Sequence, residues 1–525
     1  MPVSPRNEGC FQQVSKWLKQ CLSDHQYDQC ESERLRGQFY VPDRLIKVPA
    51  QEDNVVLLDL SRWNNGKLGT ALPTYAALSY CWGTAQGLTT TRATLHQRSI
   101  GIPWHSLPET FKDALLLCRA LGIEYLWIDS LCIIQDDEND WLYQSGYMHK
   151  IYGHAIIVIA ADAASDSNGG CFIRRSGTSV FKSNAPKETT ESPTVLVQRR
   201  VSHNLRFYPP SILDGGRWPL SMRAWALQER LLATRIVHFT ADEIMWECSE
   251  GIFSECKLMD TVPQRSLRRS YTSAVSAQST DKRAASWCEI VQIYTSKLLT
   301  RDTDRLPAIL GLAKRFKDHN MGSYMAGIWT EYLLKMMSWQ SIGFGIMSHR
   351  RPSNYTAPTW SWASVVGPVA WDIIDGAISE KIQIDNSKYV AKVIKVECAP
   401  VLLSSVTGAT PEYGRITDGF AIIMCPTLTT KVQFSESGDP ILTSYLSSRI
   451  ILDVQAVAGQ FEVDDGETVK CAFLAKLIED PITAICLRRS RSSRRDKGAL
   501  QRVGRVWFAK RKELPELQLE ELVIE

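Results

Sequence analysis

"LPETFKDALLLCRALGIEYLWIDSLCIIQDD", residues 107–137, decides the fold. Pro108 and Thr110 mark a helix start, and Phe111, Leu115, Cys118 and Leu121 recur at the spacing of one helical face. Gly122 stops the pattern. "IEYLWID" then reads as a short apolar strand, and the run turns acidic just beyond Cys132.

The flanks extend this alternation. Upstream, "YAALSYCWG" (75–83) is strand-like and ends at Gly83. Downstream, "DDENDWLYQSGYMHKIYGHA" opens with acids, which suit a helix N-terminus, and carries Trp141, Met148, Ile151 and Tyr152 at helical spacing. "AIIVIAA" follows as a buried strand. The order predicts an α/β fold with parallel strands over 76–81, 124–128 and 155–160, joined by helices over 108–121 and 137–152. It also puts Asp129 and Cys132 at the carboxyl end of a strand, where open α/β sheets bind ligands.

Elsewhere, residues 10–22 read as an amphipathic helix and 175–195 as a polar, exposed loop. "GGRWPLSMRAWALQERLLATRIVHFTADEIMWEC" reads as a helix through Glu229, then strands ending at Phe239 and Cys248. Residues 282–340 are helical in pattern, and the chain turns strand-rich from about 358. The basic run "LRRSRSSRRDKG" at 487–498 reads as a hairpin tip. Without aromatic interleaving or a known motif, it indicates no nucleic-acid partner.

Composition narrows the function classes. Hydrophobic residues are 44% and charged residues 22% of 525, with a net charge of +3, as in an ordinary globular chain with no acidic partner. No apolar run reaches the ~18 residues of a membrane span, and the N-terminus lacks a signal-peptide core, so the cytoplasm is the expected compartment. The 14 cysteines are scattered without a Cys-x-x-Cys pair. Cys10, Cys21, His25 and Cys30 fit no standard zinc spacing, so no metal and no cofactor is expected.

Several blocks resemble, in order, those of the heterokaryon-incompatibility (HET) domain of filamentous fungi. They are "YAALSYCWG", residues 107–137, "MHKIYGHA" (148–155) and "RAWALQERLLATRIVHF" (223–239). "DRLPAILGLA" (304–313), "YMAGIW" (324–329) and "APTWSWASVVGPV" (357–369) resemble segments that follow the domain in its standalone members. The resemblance implies a TIR/flavodoxin-like parallel sheet core and a part in fungal nonself recognition and programmed cell death. TIR domains include enzymes that cleave NAD, so a nucleotide-directed activity is one implied chemistry. Other standalone members lie beside specialised-metabolism genes, which implies instead an enzyme acting on a small organic or acyl substrate. A non-catalytic scaffold with protein partners is the third reading. The implied organisation is an extension over 1–70, the HET-type α/β domain over 71–255, a helical segment packed on it over 256–355, and a β-rich region over 356–525.

Within these blocks Cys132, His238 and Asp129 have the residue types of a nucleophile, its base and an orienting acid. The alternative is a buried structural cysteine beside a capping aspartate. Glu229 in "WALQER" is the second candidate, either as a general acid/base or as one half of an ion pair with Arg223 or Arg235. Tyr80, Trp82, Trp127 and Trp225 read either as an aromatic wall for a small-molecule ligand or as core, with Gln135 and Arg230 as polar neighbours. If the blocks are held together for chemistry, Asp129, Cys132, Glu229 and His238 should share one cleft.

Overall fold

A computed structural model describes residues 8–24, 40–61, 73–84, 87–173, 178–182, 194–198, 218–257, 267–317, 320–342, 349–371, 373–374, 377–378, 390–401, 414–435, 439–443, 445, 448–454, 462–475, 482–491, 498–508 and 514–525. The chain separates into two compact units, 1–272 and 273–525.

In the first unit, helix α1 (Glu8–Ser23) precedes strands β1 (Arg44–Lys47), β2 (Val56–Asp59) and β3 (Tyr75–Ser79). Helices α2 (Leu95–Ile100) and α3 (Glu109–Ala120) lead to β4 (Tyr125–Trp127). A single turn, α4 (Asp129–Cys132), and the long α5 (Glu138–His154) lead to β5 (Ile157–Ala160). Strands β6 (Thr178–Lys182) and β7 (Thr194–Gln198) follow, then α6 (Ala224–Leu232), β8 (Arg235–Phe239), β9 (Ile244–Cys248) and β10 (Ile252–Ser254).

The local causes are visible in the side chains. On α3 the residues Phe111, Ala114, Leu115 and Cys118 are buried, and Gly122 just beyond it has φ +69°, a left-handed conformation that ends a helix cheaply. Asp137 caps α5 by accepting from the Asn139 and Asp140 amides at 3.1 and 3.3 Å. Every residue of β3, β5 and β8 is buried. That explains their near-continuous apolar runs: a parallel strand covered on both faces has no polar side to show.

The described residues form an eight-stranded sheet in the order β10-β9-β8-β5-β3-β4-β1-β2. Its centre, β8-β5-β3-β4, is parallel. β1 and β2 on one flank and β9 and β10 on the other run antiparallel. Taken in chain order, the four parallel strands stand 2-1-3-4, the flavodoxin-like doubly wound arrangement. In such a sheet the crossovers diverge between the first and third strands, here β3 and β5, and open a crevice at their carboxyl ends.

One reading of the sequence is amended. The segment read as a loop over 175–195 contains β6 and part of an antiparallel pair with β7, and its remainder lies outside the described residues. The strands around the basic run do pair antiparallel, Ile482–Arg489 with Leu500–Phe508, while 492–497 lie outside the described residues.

The second unit begins with helices at Thr280–Thr295, Pro307–Lys314 and Leu333–Met337, then becomes β-rich. The 19-residue strand Ile416–Phe434 anchors an eight-stranded sheet among the described residues, pairing with Lys392–Pro400, Thr468–Ala472 and Gln518–Ile524. Val432, Val469, Phe473, Val503 and Phe508 lie in its core. Among the described residues no helix is long and apolar enough to cross a membrane.

Candidate functional site

Polar side chains gather at the crevice the strand order creates. Ser79, the last residue of β3, donates its hydroxyl proton to Oε2 of Glu229 on α6. Arg223, which precedes α6, donates to the Tyr80 carbonyl, and its charge lies beside both Glu229 and Asp129. Asp129 opens α4 directly after β4. Its carboxylate accepts from the Trp82 indole at 2.8 Å and from the Ser130 amide at 2.7 Å. Tyr152 of α5 faces Glu229 and donates to the Leu78 carbonyl at 3.2 Å. Ser79, Tyr80, Tyr152 and Glu229 are buried, whereas Trp82, Asp129 and Arg223 are half-buried. The cluster thus has a closed floor and a rim that reaches solvent.

Burial dominates its electrostatics. It pushes the Glu229 carboxyl up to about 7, against the pull of Arg223 and the Ser79 hydroxyl. Burial also raises Asp129 above the ordinary carboxylate range, opposed by Arg223 and the Trp82 indole. Arg223 would lose charge on burial, but the two carboxylates outweigh that and hold it cationic. One cation therefore serves two acids, and the acid that titrates near neutrality can give or take a proton in a reaction.

A second polar group lies deeper in the same unit. His238 on β8 places Nδ1 2.7 Å from Asp162 Oδ2 and Nε2 3.4 Å from Glu247 Oε2. Arg230 Nε donates to that same Glu247 oxygen at 2.8 Å. Burial works against the imidazolium, but Asp162 and Glu247 outweigh it and raise His238 above its ordinary value. Burial likewise works against Glu247 as an anion, and Arg230 and His238 together hold it far below the usual range.

Cys132 ends the turn that Asp129 opens, and the Asp129 charge bears on its thiol. Cys132 is 1% exposed at the end of α4, and its amide donates to the Ile128 carbonyl at 2.7 Å. Burial pushes its thiol up to about 12, against the Ile128 backbone and Arg44. Arg44 itself donates to the Cys132 carbonyl at 2.6 Å and pairs with Asp140. Both ring nitrogens of His238 face carboxylates, so the structure does not join Cys132, His238 and Asp129 into a triad. Of the four residues expected to share a cleft, it brings together Asp129 and Glu229.

The aromatic and polar candidates divide in the same way. Tyr80 and Trp82 belong to the cluster. Trp127 is fully buried and packs edge-on against Tyr152 at 5.6 Å. Trp225 meets Trp141 edge-on at 6.1 Å. Gln135 donates to the Asp129 and Ile133 carbonyls, both at 3.1 Å, and so braces the turn that carries Asp129. Arg235 goes to Cys21 Sγ at 3.2 Å, which leaves Arg223 as the partner of Glu229. Sequence reasoning missed Ser79, Tyr152, Asp162 and Glu247. The available signal was position: Ser79 lies among the last residues of the predicted strand 76–81, and Asp162 just past the predicted strand 155–160. Among the described residues, no group of three or more His, Cys, Asp or Glu side chains is placed to hold a metal ion.

Residues 75–229 match the family model described as Heterokaryon incompatibility protein (HET). The chain carries a HET domain. The HET match opens on the first residue of β3 and closes on Glu229, so it takes in Ser79, Tyr80, Trp82, Asp129, Tyr152 and Arg223. His238 and Glu247 lie beyond it. No curated protein and no solved structure matches the chain.

Proposed function

We propose that this HET-domain protein acts in fungal heterokaryon incompatibility and cell death by cleaving the N-glycosidic bond of a nucleotide, with Glu229 as the central acid/base. The observation that carries this reading is the Ser79–Glu229–Arg223–Asp129 cluster at the β3/β5 crevice, with a carboxyl held near 7. In hydrolysis, the water oxygen bonds to the anomeric carbon while the carbon–nitrogen bond breaks. The electron pair leaves with the base nitrogen, and Glu229 takes the water's proton. Asp129 and Arg223 at the rim would orient ribose hydroxyls, and Trp82 offers an aromatic face to the base. The flavodoxin-like strand order supports the TIR analogy at the level of fold, and fold alone carries no chemistry. The small-molecule partner in this reading is a nucleotide, and the compartment is the cytoplasm. A Cys132-centred acyl enzyme of specialised metabolism has less support, because that thiol is buried and held up to about 12.

Incubating the purified full-length protein with NAD and following release of the free base by chromatography tests the reading. Turnover that falls at least about 100-fold in Glu229→Gln is expected. Wild-type turnover that Glu229→Gln leaves intact, or none with NAD or other nucleotides, overturns it.

A further inference from the structure

The geometry points to a buried ladder, Asp162–His238–Glu247–Arg230, that positions Glu229 by fixing the rotation of α6 about its own axis. This rests on Glu229 being the working carboxyl of the site.

Helix α6 is nine residues long and has no side-chain hydrogen bond at its N-cap. Arg223 at its start is held by the Tyr80 carbonyl, and the rest of its setting comes from contacts along its sides. Glu229 and Arg230 are consecutive, so their side chains leave the helix about 100° apart. Glu229 reaches Ser79 on β3, while Arg230 reaches Glu247 on β9 at 2.8 Å. Two strands of one sheet therefore hold adjacent helical residues, and neither contact can slip without turning the other. Behind Glu247 stand His238 on β8 and Asp162 just past β5, at 3.4 and 2.7 Å along the ladder.

The ladder is closed in charge as well as in space. Asp162 and Glu247 supply two negative charges, His238 and Arg230 two positive ones. Glu247 is 0% and His238 2% exposed, so water does not substitute for either, while Arg230 at the outer end is half-buried. A doubly protonated imidazole donates to both carboxylates, whereas either neutral tautomer leaves one without its donor. His238, Glu247 and Arg230 act through one another and are positioning residues. The charged and titratable groups facing Glu229 itself are Arg223, Asp129 and Tyr152, with the Ser79 hydroxyl.

Titration of the Glu229 carboxyl by infrared spectroscopy on the full chain separates positioning from simple electrostatics. The band is assigned by its loss in Glu229→Gln, and needs no substrate, so the outcome stands apart from whether NAD is cleaved. Removing the negative charge of Glu247 in Glu247→Gln would, by electrostatics alone, lower the Glu229 midpoint. Positioning predicts the opposite: α6 rotates, Glu229 loses Ser79 and Arg223, and its midpoint rises by half a unit or more, about threefold in proton affinity. Ile244→Ala on β9 serves as a control: its side chain alternates to the face opposite Glu247, so it destabilises the same strand away from the ladder and should leave the midpoint in place. If Glu247→Gln does not fold, Asp162→Asn at the far end replaces it, with a rise again expected. A midpoint that falls or stays fixed in the folded ladder variant, or moves equally in Ile244→Ala, overturns the proposal.

Discussion

Ser79 and Glu229, 150 residues apart in the chain, share a hydrogen bond that fixes an acid from a helix over the carboxyl end of a central strand. The relationship accounts for a conflict built into the site. Glu229 is 3% exposed, so its ionised form has lost its water, and one hydroxyl and a shared arginine replace only part of it. The carboxyl keeps its proton to about 7 for that reason.

That conflict has a pH signature in stability. The folded protein binds a proton at Glu229 between the ordinary value of 4.5 and about 7, where the unfolded chain has released it. Stability from this group is whole below 4.5, falls as pH rises through the window, and above 7 is lower by about 3 kcal/mol. Glu229→Gln cannot ionise and escapes the loss. The variant should melt near the wild-type temperature at pH 4.5 and above it at pH 8, and thermal scans at both values check this. A stabilised but inactive protein is the expected result, since site residues commonly trade stability for function.

The parallel core is legible in the sequence because burial on both faces writes itself as apolar runs, as in "YAALS" and "IVIA". The antiparallel flanks are less so: β1 and β2 are four residues each and half-covered, so their pattern is too short to stand out. Asp129 and Glu229 are visible as acids inside apolar junctions. Their partners are not. Ser79 is one hydroxyl in a strand, and its meeting with Glu229 depends on where α6 settles. His238 suggests a base for Cys132 by residue type alone, whereas the sheet order sets it beside Asp162 and Glu247.

Cys132 should therefore behave as a core thiol. With its thiol held up to about 12, the reactive thiolate fraction at pH 7 is on the order of 10⁻⁵. Iodoacetamide followed by mass spectrometry should find Cys132 unmodified in the native protein, alongside the equally buried Cys118, and both alkylated in denaturant. Cys132→Ser should lower stability by about 1–3 kcal/mol by placing a hydroxyl among apolar neighbours. Rapid native labelling of Cys132 alone would return the nucleophile reading to first place.

Gly83 sets the path of the chain just past Trp82. Its φ is +79°, and a Cβ there would stand 2.4 Å from Asp166 Cβ. Gly83→Ala meets both an unfavourable backbone conformation and a contact with a side-chain root that cannot swing away. A loss of about 2 kcal/mol or more in urea unfolding is expected. Because Trp82 donates to Asp129, the same substitution should change the tryptophan emission of the folded protein.

The ladder behind α6 makes the last prediction, because its two kinds of group lose their effect at opposite ends of the pH range. Glu247 is held far below 4.5, so what it contributes is whole above that value and lost as pH falls. His238 is raised above 6.5, so its contribution is whole below that value and lost as pH rises through the raised one. Both are present together between about 4.5 and 6.5, where the ladder stabilises most. Glu247→Gln leaves Arg230 and His238 facing a neutral amide in a buried site, and breaking such a pair costs about 3–5 kcal/mol. Urea unfolding at pH 3.5, 5.5 and 8 should show the largest gap between wild type and Glu247→Gln at 5.5. The gap narrows at 3.5, because below 4.5 the unfolded wild-type chain takes a proton at Glu247 that the folded protein does not, and at 8, because pH has risen past the ordinary His238 value of 6.5 toward the raised one. A gap that is constant across the three would mean that Glu247 acts by shape alone, with its charge playing no part in holding β8, β9 and α6 together.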